Sequence, residues 1–156
     1  MSSTPKHETS LRLSEHRFFQ GFEGPLVGLL QKEAVERTYA PGELLVREGD
    51  PADKFVLVFE GKVALEIATP GKPHLMIETI GAGDALGWSW LFPPQHWRLD
   101  GRALKTTRAL VLDAPRVRAI LDAHPTEGYA FVLRLLPVIA ERLENTRVQL
   151  LDIYGA

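Results

Sequence analysis

The chain has no cysteine. A disulfide, a thiolate nucleophile and a sulfur-ligated metal are thereby excluded, which fits a reducing cytoplasm. It also lacks an excess of charge of either sign: 18 Lys and Arg stand against 20 Asp and Glu, for a formal net charge of -2. The basic residues are scattered rather than gathered into a patch, so there is no electrostatic footprint for a polyanion, and contact with DNA by this chain alone is not expected. No apolar run is long enough to span a bilayer, and the opening MSSTPKHETS is polar where a signal peptide is apolar. The expectation is a cytoplasmic protein without membrane contact.

Catalytic signatures are missing as well. The five histidines, at 7, 16, 74, 96 and 124, include no His-x-His pair followed by Glu and no two close enough to chelate from one strand, so a histidine-based metal site is not expected. There is no Gly-x-Ser-x-Gly to position a nucleophile. Gly81-x-Gly83 follows an apolar run without opening a long helix, and reads as a turn rather than a phosphate loop. A non-enzymatic protein without a metal or a resident cofactor is expected.

What is present has a clear order. The 156 residues suit one domain (11–156) behind a flexible leader (1–10). From 11 to 37 apolar residues recur at helical spacing (Phe18, Phe19, Phe22, Leu26, Leu29, Leu30), broken by Gly21 and Gly24-Pro25, which predicts two or three short helices. From 38 to 113 the character changes to short β-rich runs: 43–46, 55–59, 63–67, 75–80 and 109–112. Pro41-Gly42, Gly49-Asp50-Pro51, Glu60-Gly61-Lys62, Pro70-Gly71-Lys72 and Gly81-Ala82-Gly83-Asp84 punctuate them. Many short strands at regular spacing predict a mainly β fold with flanking helices, an antiparallel β-roll of jelly-roll type. Over 115–156 the helical period returns, with Pro115 suited to the first turn of one helix and Pro125 opening a longer one.

On that last helix Val132, Leu136, Ile139, Leu143, Thr146, Leu150 and Ile153 alternate four-three, the spacing of a coiled-coil seam. A twofold partner presenting the same stripe would cover it, so a homodimer on this helix is expected. The alternative is that the stripe packs on the chain's own roll, with Leu133, Leu135 and Val138 as a second apolar face. Pro137 removes one helical hydrogen bond and predicts a kink.

The stretch 87–98, GWSWLFPPQHWR, holds all three tryptophans and ends on Arg98. Gly87 leads into a segment that looks helical for a turn, and the unpaired amides at such a start suit a phosphate. The guanidinium of Arg98 matches phosphate oxygens, although an arginine after an aromatic residue also commonly lays its stem over the ring.

The run 41–63, PGELLVREGDPADKFVLVFEGKV, with glycines at 42, 49, 61 and 83, resembles the opening of the cyclic-nucleotide-binding domain family. The resemblance extends from about Phe18 to Ile153. It implies a β-roll flanked by helices, with a ligand phosphate held by a cassette that starts at a Gly-Asp turn. Carried over by position, Gly87 matches the cassette glycine and Arg98 the phosphate-gripping arginine, while Ser89 and Trp90 fall in the cassette's short helix. Thr146 falls where the family's dimer helix offers a threonine to the purine. Trp88 departs from the pattern: it occupies the place of a glutamate that accepts the ribose hydroxyl, and an indole accepts no hydrogen bond. Asp100 either supplies that acceptor or pairs with Arg98, and the tryptophans either close the mouth of a degenerate pocket or stack on a base.

The expected function is a stand-alone, dimeric regulatory domain that recognises an anionic, nucleotide-like ligand around 83–98, the candidate being a cyclic nucleotide. Because the chain ends at Ala156, where the family's transcription factors continue into a helix-turn-helix, any output module is expected in a separate protein. A ligand-free dimerisation or scaffold module and a cupin-type metalloenzyme are the alternatives.

Overall fold

The computed structural model describes residues 9–154. Most of the expected leader, with His7, lies outside that span, as does the side chain of seam residue Ile153.

Two 3-10 turns, Leu13–Glu15 and Arg17–Phe19, and helix α1, Leu26–Gln31, come first. They bury Leu13, Phe18, Phe19, Leu26 and Leu30, the apolar positions whose spacing predicted them. The helical region stops short of its expected end at 37, because Val35–Tyr39 is strand β1 and pairs antiparallel with β8, Thr107–Asp113. Val35, Thr38 and Tyr39 favour a pleated strand, and β8 supplies the backbone partners.

The remaining strands are β2 (Leu44–Val46), β3 (Lys54–Glu60), β4 (Lys62–Thr69), β5 (Lys72–Gly81), β6 (Ala85–Leu86) and β7 (Asp100–Ala103). They form two four-stranded antiparallel sheets, in the orders β1-β8-β3-β6 and β2-β7-β4-β5, the expected β-roll. In β3, residues 55–58 are buried consecutively, as for a strand covered on both faces. Strand β7 was not visible in the residue pattern, and Gly101 shows why. A Cβ there would lie 3.0 Å from Leu86 Cδ1 and 3.2 Å from Val46 Cγ2, so the strand needs a glycine where neighbouring side chains close over its backbone.

Helix α2, Ala114–Ala123, starts with Pro115 in its first turn and the Asp113 carboxylate accepting from the Arg116 amide at 3.2 Å. Helix α3 runs from Pro125 through Pro137 to Tyr154. Its first half is held to the roll by Phe131, which is fully buried, and Leu135. The Phe131 ring lies 5.2 Å from Phe18, 5.6 Å from Phe55 and 6.0 Å from Trp90, in edge-on contacts that join the N-terminal turns, the roll and α3 into one core. The expected stripe splits differently from the second face: Leu136 (50%), Leu143 (63%) and Leu150 (48%) are exposed, and Val132 and Ile139 are half-buried. Of the second face, Leu135 is buried and Val138 half-buried, but Leu133 is exposed. Among the described residues, no helix is long and apolar enough to cross a membrane.

Candidate ligand site

The cassette opens at Gly83 and Asp84. Gly83 has φ +89°, a left-handed conformation that favours glycine. Asp84 closes the turn by accepting from the Gly81 amide at 2.8 Å, and its other oxygen pairs with Arg17. Gly87, also left-handed at φ +71°, has the Trp97 ring so near that a Cβ would lie 2.8 Å from Cζ3.

From Gly87 to Trp97 the chain forms turns, not the short helix expected: the Leu91 amide returns to Trp88 O at 3.0 Å and the Gln95 amide to Phe92 O at 3.2 Å. Apolar residues are drawn inward and backbone contacts hold the segment in place. The Trp97 amide donates to Asp50 O (2.9 Å), the Gly49 amide to Trp97 O (2.8 Å) and the Ala52 amide to Gln95 O (2.7 Å). An anion cradle at a helix N-terminus therefore does not exist here.

The tryptophans have three different surroundings. Trp90 is a core residue, fully buried with its ring 4.7 Å from Phe55, so it is not placed to stack on a ligand. Its Nε1 finds no acceptor among the described residues. Trp97 fills the space beside Gly87. Trp88 is half-buried, and the Arg142 guanidinium of α3 sits 5.0 Å above its ring, a cation–π geometry. Ser89 is half-buried.

Arg142 organises the helix side of the site. It is 7% exposed, and its Nε donates to Glu78 Oε1 of β5 at 2.6 Å. Asn145 Nδ2 donates to Glu78 Oε2 at 3.1 Å, and Gln149 Nε2 donates to the Ile77 carbonyl. Arg142 Nη1 is buried without an acceptor among the described residues. Thr146 lies on this part of α3, but its hydroxyl donates to Arg142 O of its own helix at 2.9 Å. Sequence reasoning missed this cluster. Its signal was Glu78, a lone carboxylate inside the apolar run 75–80, which must find a cation or water once its strand packs.

Arg98 is exposed and makes no ion pair among the described residues. Asp100 is turned away from it. The Asp100 side chain is buried, Oδ1 accepts from the Glu48 amide at 2.7 Å, and Oδ2 lies 3.4 Å from His74 Nδ1. The expected pairing of Asp100 with Arg98 is not made, because pairing of β7 with β4 points the carboxylate at the β4–β5 hairpin.

A cavity of about 300 Å³ adjoins the cassette, bounded by Arg17, Gly83, Asp84, Arg134, Glu141 and Arg142. Behind its Arg17–Asp84 rim lies His16, 2% exposed, with Nε2 2.9 Å from Val58 O and Nδ1 accepting from the Phe18 amide at 3.1 Å. Burial holds this imidazole below its ordinary range, against the opposing effect of its bond to Val58. The neutral ring, with its proton on Nε2, satisfies both bonds.

The glycine-punctuated roll, the cassette between β6 and β7 and the helix laid across it are those of a regulatory nucleotide-sensing fold. The profile of the cyclic nucleotide-binding domain matches residues 36–124. This chain belongs to that family. Over 141 residues it is 25% identical to the CRP-like cAMP-activated global transcriptional regulator of Mycobacterium tuberculosis, a match covering 90% of this chain and 61% of that protein. Among solved structures it resembles a cyclic nucleotide-binding domain from Methylobacillus flagellatus, with a TM-score of 0.75, 24% identity, and coverage of 86% of this chain and 75% of that one. It also resembles the N-terminal domain of a transcriptional regulator from Streptomyces coelicolor, with a TM-score of 0.63, 28% identity, and coverage of 88% and 94%.

Proposed function

We propose that the chain is a non-catalytic sensor domain that binds an anionic, nucleotide-like ligand at the cassette and works as a homodimer through α3. The observation that carries this reading is Arg98. Of the described arginines that hold no carboxylate, Arg98 is the one that lies within the cassette, and it is exposed. Left unneutralised, a guanidinium suits a phosphate. Gly87 and Ser89 present backbone and hydroxyl beside it in sequence, and Trp88, Arg142 and Thr146 offer the helix side a ring, a cation and a hydroxyl.

The ligand differs from what an ordinary sugar-binding glutamate would select. With Trp88 at that position, capped by Arg142, cyclic AMP binds weakly, and a ligand richer in acceptors is favoured because Arg142 Nη1 needs one. The regulator of Mycobacterium tuberculosis is described as cAMP-activated, which is the reason to put cyclic AMP in the test. The exposed Leu136, Leu143 and Leu150 support the dimer, the apolar stripe being what a second α3 would cover.

Calorimetric titration of cyclic AMP, cyclic GMP and cyclic dinucleotides into wild type and Arg98→Ala tests it. One of these ligands should bind wild type and lose about 2 kcal/mol or more in the variant, as for a charge-assisted bond. Equal affinity in both would remove Arg98 as the grip, and no binding by any member would favour the ligand-free scaffold.

A further inference from the structure

Strand pairing assembles a group that no spacing in the sequence announces. Glu66 of β4 stands opposite Asp100 of β7 on one side and opposite Met76 of β5 on the other. His74, two residues before Met76, shares its face of the sheet. One ligand-capable atom from each of Glu66, His74 and Asp100 lies within 4.8 Å of the others. The expectation of no histidine-based metal site rested on the absence of two histidines close enough to chelate from one strand and of a His-x-His pair followed by Glu. Here two carboxylates join a single histidine: Glu66 stands 8 residues before His74 and Asp100 26 after it, and the register Glu66↔Asp100 closes the 34 residues between the two carboxylates.

Two observations point to a cation. The first is the gap between His74 Nδ1 and Asp100 Oδ2, 3.4 Å. That is long for a hydrogen bond, which favours about 2.7–3.2 Å. It matches the separation of two ligand atoms each about 2.1 Å from a tetrahedral ion, which is about 3.4 Å. The second is the state of Asp100. Its side chain is 9% exposed, Oδ1 takes the Glu48 amide, and Oδ2 faces the group, where its partner is the His74 ring 3.4 Å away. A carboxylate largely removed from water with one loose partner on that oxygen is costly, and an ion between the two holds both.

Among the described side chains the surrounding charge is mixed but net acidic. Arg102 Nε holds Glu66 Oε1 at 3.1 Å. Glu48, whose Oε2 accepts from the Ala68 amide at 3.2 Å, adds a further carboxylate to this edge. His74 is 44% exposed, so one side is open to an entering ion and a water.

We propose that Glu66, His74 and Asp100 form a divalent transition-metal site of the zinc type, with water in the fourth position. Imidazole with carboxylates suits zinc, whereas magnesium and calcium select oxygen donors alone. The ion clamps the β4–β5 hairpin to the start of β7, two residues after Arg98. This inference is independent of the proposed nucleotide, and its test uses none.

The whole chain is stripped with chelator and titrated with zinc chloride against a chromophoric competitor. One zinc per chain is expected, with magnesium failing to displace it. His74→Ala, a change at an exposed residue, should weaken binding by roughly tenfold or more, and Asp100→Asn should do the same where circular dichroism confirms its fold. Zinc should also raise the unfolding midpoint of wild type by mass action and leave that of His74→Ala unmoved. Failure of wild type to bind stoichiometric zinc, or equal binding by His74→Ala, would overturn the site.

Discussion

Replacing Arg142 by methionine should destabilise the fold by about 2–4 kcal/mol, and the reason lies mainly in what stays behind. The side chains of Arg142 and Glu78 are 8% and 18% exposed. Methionine keeps an apolar stem against Trp88, so little packing is lost. The Glu78 carboxylate, however, keeps only the Asn145 amide at 3.1 Å, and removing one partner of a buried pair costs about 3–5 kcal/mol. Loss of the cation over the indole adds about 0.5–2 kcal/mol. Relief of the acceptor-less Arg142 Nη1 returns about 1–3 kcal/mol, and taken at their midpoints the three leave about 3 kcal/mol, the centre of that range. Adding Glu78→Gln should recover much of the loss, since a neutral amide still accepts from Asn145 and leaves no buried charge. Urea unfolding of wild type, both single variants and the double variant, at fixed protein concentration, closes the cycle. A coupling of about 2 kcal/mol is expected. A single Arg142→Met within about 0.5 kcal/mol of wild type, or a strictly additive cycle, would refute the account of Arg142 as a buried charge held by Glu78.

Two other outcomes are expected. Leu143 is 63% exposed on α3, so Leu143→Glu should leave the fold of one chain nearly unchanged while opposing two carboxylates across the proposed dimer seam; light scattering should show monomers, and a monomeric wild type would count against the seam. His16 has its folded pKa lowered from 6.5, so the unfolded chain binds the proton more readily. The stability it contributes is complete above 6.5 and is lost as pH falls from there through the lower folded value. Denaturation from about pH 7.5 to about pH 5 should show this loss in wild type and less of it in His16→Gln; parallel profiles would contradict the burial argument.

How much could be read beforehand depended on how far each signal reaches along the chain. Helices α1, α2 and α3, the strands carrying 55–59, 63–67 and 75–80, and the turns at Gly42, Gly49, Gly61 and Gly83 all have causes within a few residues. They were legible as periodicity and turn chemistry. Strand β7 was not, because Asp100-Gly101-Arg102-Ala103 has neither alternation nor bulk; its glycine answers to Leu86 and Val46 in other strands. The cassette was legible as a segment, through its Gly-Asp turn and Arg98. The inward turn of Trp90, the capping of Trp88 by Arg142 and the aim of Asp100 toward His74 were not, since each depends on which strand or helix arrives opposite. Glu78 was the one local clue to this hidden half, a charge in an apolar strand.

The two halves of α3 adhere to the roll by different means. Before Pro137 the contact is Phe131 and Leu135 in the aromatic core, whose separation would expose apolar area to water at about 25 cal/mol per Å². After it the contact is a row of polar side chains, Arg142, Asn145 and Gln149, fastened to Glu78 and the Ile77 carbonyl. Water can replace such neutral bonds at a net cost of only about 0.5–1.5 kcal/mol each, with somewhat more for the charged one. Between the halves stands a residue that cannot donate a helical hydrogen bond. The first half is therefore glued and the second half latched, and undoing the latch leaves the glue intact. Arg142 of the latch sits over the Trp88 ring, so undoing the latch uncovers the cassette while the helix stays attached.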